Sequence, residues 1–280
     1  MLSIVYERGN NAIDLINTPN LIISSYEGLG KPTSETITTT NPYLRGTQYQ
    51  RSQISDRSIS FTFVVYNVEK TRQDLMKVFK SGEKGTLTLK NDYREGQIEC
   101  YLEEMTFGRF ENPTTCTIFL RSPYPYFKGM ENIIVELDNI IEMFELEAYI
   151  PEEGIVLGEI IDEHASVIEN DSDIATGVTI EVTALDTVVN PVVYNETTNQ
   201  FIGVNITLNT GETLIITTGI GNKRITHAKN GINNNVINKL MRNSTFFQLD
   251  TGANKLKCEA ASGGENMNVY VKYKDEYEAI

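Results

Sequence analysis

The sequence has no tryptophan, only two histidines and only three cysteines in 280 residues. Cys100, Cys116 and Cys258 are odd in number and far apart, which excludes a disulfide framework and points to free thiols in a protein folded in a reducing cytoplasm. They lack the close pairing of a zinc site, and only His164 and His227 could assist them, so no metal or other cofactor is expected. No apolar run approaches the roughly 20 residues that cross a bilayer, which argues against membrane insertion. Met1–Arg8 has neither a basic leader nor a continuous apolar core, so a signal peptide is not expected. Positive charge is missing over one long stretch: Glu131 to Asn222 holds neither Lys nor Arg.

What is present describes a globular, strand-rich chain. Hydrophobic residues make up 40% and charged residues 22%, and Thr, Asn, Ile and Val are plentiful, a bias toward strands. The length accommodates two domains, each able to bury its own core. The net charge of −14 is unevenly spread: residues 1–130 carry 15 Lys+Arg against 14 Asp+Glu, residues 131–280 carry 9 against 24. An acidic second half repels phosphate backbones, which speaks against nucleic-acid binding there; the charge serves solubility.

The boundary between the two compositions is Leu120-Arg121-Ser122-Pro123-Tyr124-Pro125-Tyr126-Phe127, a proline and aromatic segment. Before it, Ile4–Tyr6 and Leu21–Ile23 read as short strands. From Glu27 to Gln53 the apolar pattern lapses into Gly, Thr, Ser, Asn and Arg. Two readings stay open there: an arm that orders against a neighbouring subunit, and a mobile loop. Ile59–Tyr66 alternates as a strand, Thr71–Lys80 carries Leu75, Val78 and Phe79 at helical spacing before a Ser81-Gly82 stop, and Thr86–Leu89, Gln97–Leu102 and Cys116–Leu120 are further strands. This order describes an α+β sheet unit over residues 1–130, with Tyr126 and Phe127 packing into its core.

In the bridge from Glu131 to Glu159, Asp138–Phe144 has the spacing of a short helix, while Ile133–Val135 and Ile155–Leu157 look like strands. From Ala165 onward, strands such as Val178–Val182, Phe201–Ile206, Thr213–Thr217 and Val269–Tyr273 recur between turn residues, broken by one helix turn at Asn235–Asn243. The expectation for residues 131–280 is a β-sandwich.

Catalytic patterns are poorly supplied. Neighbouring side chains on a strand point to opposite faces, so Glu103 and Glu104 cannot readily flank one bond, and Glu152-Glu153 lacks any accompanying motif. Asp171-Ser172-Asp173 begins like a calcium loop, but Thr176 and Val182 replace its Gly and Glu, and a turn is the better reading. Gly82–Thr86 lies between helix and strand, the reverse of a phosphate loop. His164 and His227 read as surface residues, and no Gly-x-Ser-x-Gly elbow supplies a nucleophile. The chain is therefore expected not to be an enzyme.

Arg57–Phe127 resembles the N-terminal domain of the distal tail proteins of siphophages, the long, flexible-tailed bacteriophages. The features are Arg57-Ser58-Ile59 opening a strand, the helix with Leu75 and Phe79, the Gly82–Leu87 return, and a hairpin ending in Pro123, Tyr126 and Phe127, with Tyr124-Pro125 inserted. Further on, Asn170–Gly177 resembles that family's Asn-x-Gly-Asp-x-x-x-Gly turn, Ser172 departing from the Gly. Asn190–Asn195, Leu208–Leu214, Leu249–Asn254 and Tyr277–Ile280 extend the likeness over nearly the whole chain.

The resemblance implies a mainly β protein with a one-helix N-terminal ring domain (1–130) and a galectin-like C-terminal β-sandwich (131–280). It implies a homo-hexameric ring at the tail tip, assembled in the bacterial cytoplasm and carried in the virion. The implied partners are the major tail tube protein, a tail-associated tip protein and a receptor-binding or adhesin protein, with DNA passing the channel without specific binding. Within the 27–53 arm, Thr36, Thr38, Asn41, Pro42, Tyr43 and Arg45 are the expected interface residues, and Pro123, Tyr126 and Phe127 mark the domain boundary. The alternative is a carbohydrate-binding protein whose C-terminal sandwich contacts cell-wall sugar. Its aromatics, Tyr194, Phe201, Phe246, Phe247, Tyr270, Tyr273 and Tyr277, fit core or strand positions equally well.

Overall fold

A computed structural model of the chain describes residues 2–41, 43, 45–109, 111–142 and 158–280. Its contacts divide the chain into two compact units, Met1–Met130 with Glu276–Ile280, and Glu131–Asp275. The last five residues, assigned above to the second module, thus pack within the first.

The first unit is built on an antiparallel sheet in the order Asn11–Asp14, Ser3–Arg8, Lys84–Lys90, Glu95–Phe107, Thr114–Ser122, Arg57–Val65 and Leu21–Glu27, with Phe127–Gly129 bridging to the C-terminal strand Glu276–Tyr277. Strand alternation decides the inward face: in Arg57–Val65 every second side chain is buried, from Arg57 through Ile59, Phe61 and Phe63 to Val65. The helix spans Val68–Val78, starting a turn earlier than its apolar spacing indicates. Asn67 takes a left-handed backbone that Asn tolerates, and Thr71 Oγ1 donates to the Tyr66 carbonyl at 2.9 Å, so the chain turns into the helix before its first buried residue. Leu75, Val78 and Phe79 face the sheet, where Phe79 stacks on Tyr6 with ring centroids 4.2 Å apart. Arg8 closes the helix C-terminus, donating to the carbonyls of Val78 at 2.8 Å and Lys77 at 2.7 Å and pairing with Glu83.

The second unit is a sandwich. A six-stranded sheet runs Ile133–Glu136, Met267–Tyr273, Thr179–Ala184, Thr213–Thr217, Arg224–Lys229 and Ile232–Asn235; a five-stranded sheet runs Asp138–Glu142, Gly158–Asn170, Gly252–Glu259, Val192–Asn195 and Gln200–Gly203. Ile180, Val182, Leu214, Val269 and Val271 of the first sheet share one core with Ile168, Val193, Ile202, Leu256 and Cys258 of the second. Asp138–Glu142 is a strand paired with Gly158–Asn170, so the helical spacing read over Asp138–Phe144 does not correspond to a helix in its described part. Residues 143–157, with Met143, Phe144, Glu152, Glu153 and Ile155–Leu157, lie outside the described residues. The interruption at Asn235–Asn243 is a single 3-10 turn, Ile237–Lys239.

Candidate functional site

The segment read as an arm or loop is a two-stranded antiparallel ribbon, Ser34–Thr40 paired with Thr47–Ile54. Its Thr and Ile residues favour extended backbone, but no apolar alternation accompanies them, so strand periodicity gives no sign of it. All its strand residues are exposed except the half-buried Ile37. The register shifts between Ile37 and Thr38, where Ile37 opposes Arg51 and Thr38 opposes Tyr49, leaving Gln50 as the extra residue. Among the described residues no third strand joins either edge, so outward main-chain N–H and C=O groups stand open to pairing on both sides. Thr36 and Thr38 lie on the first strand, Asn41, Tyr43 and Arg45 in the connecting turn, and Pro42 outside the described residues. Asn41 Oδ1 accepts the Tyr43 N–H at 3.0 Å, and the Tyr43 side chain is 95% exposed.

The ribbon is rooted on Arg57, whose place on the inward face no composition argument reveals. Arg57 is 3% exposed, and its guanidinium donates to four main-chain carbonyls: Nε to Pro125 at 2.6 Å, Nη1 to Gly28 at 2.8 Å and Gly30 at 2.6 Å, and Nη2 to Glu278 at 2.6 Å. It also lies over the Phe127 ring, 4.7 Å from the centroid. Burial pulls its pKa down, opposed by the nearby Glu278 carboxylate. One planar fork therefore joins the ribbon root, the proline-aromatic segment and the C-terminal strand.

Of the boundary residues, Phe127 is fully buried, Tyr126 is half-buried and Pro123 is exposed, so only Phe127 enters the core. Tyr126 instead sets its edge against Tyr124, with centroids 5.4 Å apart, and the Tyr124 hydroxyl donates to Glu276. Desolvation raises the Glu276 pKa, while the Tyr124 bond and Lys128 oppose the rise.

The remaining candidate groups serve local structure. A register shift between Leu102 and Glu104 leaves both Glu103 and Glu104 exposed, contrary to strict alternation, and Arg121 binds Glu103 at 2.5 Å and Asp56 at 2.6 Å. Asn170 Oδ1 accepts the Ser172 N–H at 3.2 Å, its Nδ2 reaches the Leu249 carbonyl at 3.1 Å, and Thr176 Oγ1 meets Ser172 Oγ at 3.1 Å. Ser172 is not among the residues with left-handed backbone, so the turn does not require the Gly of the related motif.

His227 is not a surface residue: it is half-buried, its Nε2 lies 2.9 Å from Glu212 Oε2, and Lys229 contacts the other oxygen of the same carboxylate at 2.6 Å. The Lys229 ammonium, then the Asn209 N–H at 3.1 Å, pull Glu212 down to about 2. Glu212 was missed because its partners come from a neighbouring strand and a turn. His164 lies on Gly158–Asn170 opposite Cys258. All three cysteines are buried and free, and burial raises their thiols, Cys100 and Cys116 to about 12. Among the described residues no group of three His, Cys, Asp or Glu side chains is placed to hold a metal ion, and no helix is long and apolar enough to cross a membrane.

Residues 171–277 match the family model described as siphovirus-type tail component, C-terminal domain. The whole chain is similar in fold to the crystal structure of phage SPP1 Dit, a hub of the adsorption apparatus of phages that infect Gram-positive bacteria: TM-score 0.70, 12% identity, 99% of each chain covered. It is also similar to a chain of the phage P2 baseplate in its activated conformation with Ca (TM-score 0.54, 12% identity, all of each chain) and with Sr (TM-score 0.54, 13% identity, all of each chain). No curated protein matches the sequence significantly. The siphophage distal tail family anticipated from the sequence is thus supported, and the mainly β fold with a galectin-like second sandwich is borne out.

Proposed function

We propose that this chain, whose second unit carries the siphovirus-type tail component domain, is the hub of a phage tail tip: six copies close into a ring that joins the tail tube to the tip proteins and leaves a channel for DNA. The observation that carries this reading is the ribbon. A two-stranded hairpin with no buried face is marginal in water, and one held out from a folded unit with two open edges suits strand addition to a neighbour. A heterologous contact of this kind, repeated around an axis, closes a ring. Thr36, Thr38, Asn41, Pro42, Tyr43 and Arg45 lie at that contact, residues 1–130 with the returning residues 276–280 form the ring, and residues 131–275 face outward toward receptor-binding or adhesin proteins. Assembly takes place in the host cytoplasm, and the mature location is the tail tip of the virion. Scaffolding of this kind needs no catalytic group or cofactor.

Negative-stain microscopy with mass measurement of the purified protein, alone and mixed with tail tube protein, tests the reading. Six-fold rings are expected, and deletion of residues 34–54 abolishes them while the rest of the chain stays folded. A protein that is monomeric under both conditions refutes the hub, and rings that survive the deletion refute the role of the ribbon.

A further inference from the structure

The geometry points to a saccharide-binding cleft on the outward face of the five-stranded sheet of the second unit, shaped for a neutral pyranose glycan. Val193 and Ile202 turn into the sandwich core, so their neighbours Tyr194 and Phe201 turn out. The two are direct cross-strand partners, with ring centroids 5.9 Å apart and planes tilted by 38°. Lys257 continues the row on the next strand, opposite Tyr194. Around these side chains lies a cleft of about 550 Å³. The turn carrying Glu196, Asn199 and Gln200 forms one side, and Lys257 with Glu259 the other.

Both sides are held in place. Asn195 is fully buried, and its Oδ1 accepts the Thr198 N–H at 3.2 Å, bracing the turn; Asn199 has the left-handed backbone that returns the chain into Gln200–Gly203. Lys257 pairs with Glu259 at 2.6 Å and Lys255 with Glu196 at 2.7 Å. A floor of two half-buried rings bordered by planar amides and carboxylates matches a sugar ring, which presents C–H groups on one face and hydroxyls that both donate and accept around its edge. Neutrality follows from the charges: the lysines at the cleft are ion-paired, and the second half of the chain carries 24 acidic residues against 9 basic ones, which opposes a phosphate-bearing polymer. Of the aromatics named from sequence as a possible sugar platform, Phe247 and Tyr273 are buried, whereas Tyr194 and Phe201 come together at the cleft.

The site does not depend on the ring, so its test is independent. Saturation-transfer NMR on the full chain, with N-acetylglucosamine trimer, cellotriose and lactose as neutral probes and polyglycerol phosphate as the charged one, should show transfer to at least one neutral sugar. Phe201→Ala and Tyr194→Ala should each weaken that binding by about tenfold or more. Phe201→Leu, which keeps apolar bulk but removes the ring, should do the same with the melting temperature retained. The inference is overturned if no neutral probe receives transfer, if binding survives Phe201→Leu, or if the charged polymer binds better. Particle mass measured on the same variants should be unchanged, which separates failure of the sugar site from failure of the hub.

Discussion

Replacing Arg57 with Met keeps most of the aliphatic bulk and removes the fork that joins three segments of the first unit. Four carbonyls, of Gly28, Gly30, Pro125 and Glu278, lose a charged donor. Water can reach part of this site, because Gly28, Pro125 and Glu278 are half-buried and Gly30 is exposed, so each loss costs about 1 kcal/mol, below the full penalty for a buried orphan. Loss of the cation over Phe127 adds about 0.5–1 kcal/mol, for a total of roughly 4–5 kcal/mol. For a unit of this size that lowers the melting temperature by about 15 °C. Differential scanning calorimetry reads the shift, and hydrogen exchange reads its location: the Phe127–Tyr277 pairing should lose protection first. Arg57→Lys keeps the charge but not the planar fork and should recover less than half of the loss. If Arg57→Met melts within about 1 °C of the parent, or if protection at Tyr277 is unchanged, the guanidinium is not what holds the C-terminal strand and the ribbon root.

Other perturbations probe separate parts of the chain. The Tyr6 hydroxyl is buried and has no hydrogen-bond partner among the described residues, so Tyr6→Phe should be neutral or stabilise by up to about 1 kcal/mol in urea unfolding. Gly85→Ala would drive a methyl into the Tyr6 ring and hydroxyl, costing about 1–3 kcal/mol, part of which Tyr6→Phe should restore. Because Glu212 is held at about 2 when folded, its contribution is present above the ordinary carboxylate range near 4.5 and is lost as pH falls toward 2; Glu212→Gln should flatten that part of the melting temperature against pH. Thiol reagents should leave the native protein untouched and label all three cysteines after denaturation, since each thiol is buried and raised; rapid labelling of the native chain would contradict the burial.

Much of the fold was legible where local pattern and final burial coincide. The alternation of Ile59, Phe61, Phe63 and Val65 survives as the inward face of a strand, and Leu75, Val78 and Phe79 as the buried stripe of the helix. The ribbon was not legible, because a strand pair without a buried side leaves no apolar period to read. Strict alternation also misplaced Glu103 and Glu104, since a bulge adds a residue that the sequence does not announce. His227 and Glu212 lie 15 residues apart, and their contact depends on the pairing of Thr213–Thr217 with Arg224–Lys229.

By itself the sequence determined the mainly β character, the contrast between a charge-balanced first half and an acidic second half, and the positions of the helix and many strands, because these follow from composition and from periods of two and 3.6 residues. Only the tertiary structure decided that the final five residues return to the first unit, that Arg57 ties four distant carbonyls together, and that Tyr194 and Phe201 share a cleft. Those outcomes rest on strand register and long-range pairing, in which residues as far apart as Arg57 and Glu278 meet, and no local pattern encodes such a meeting.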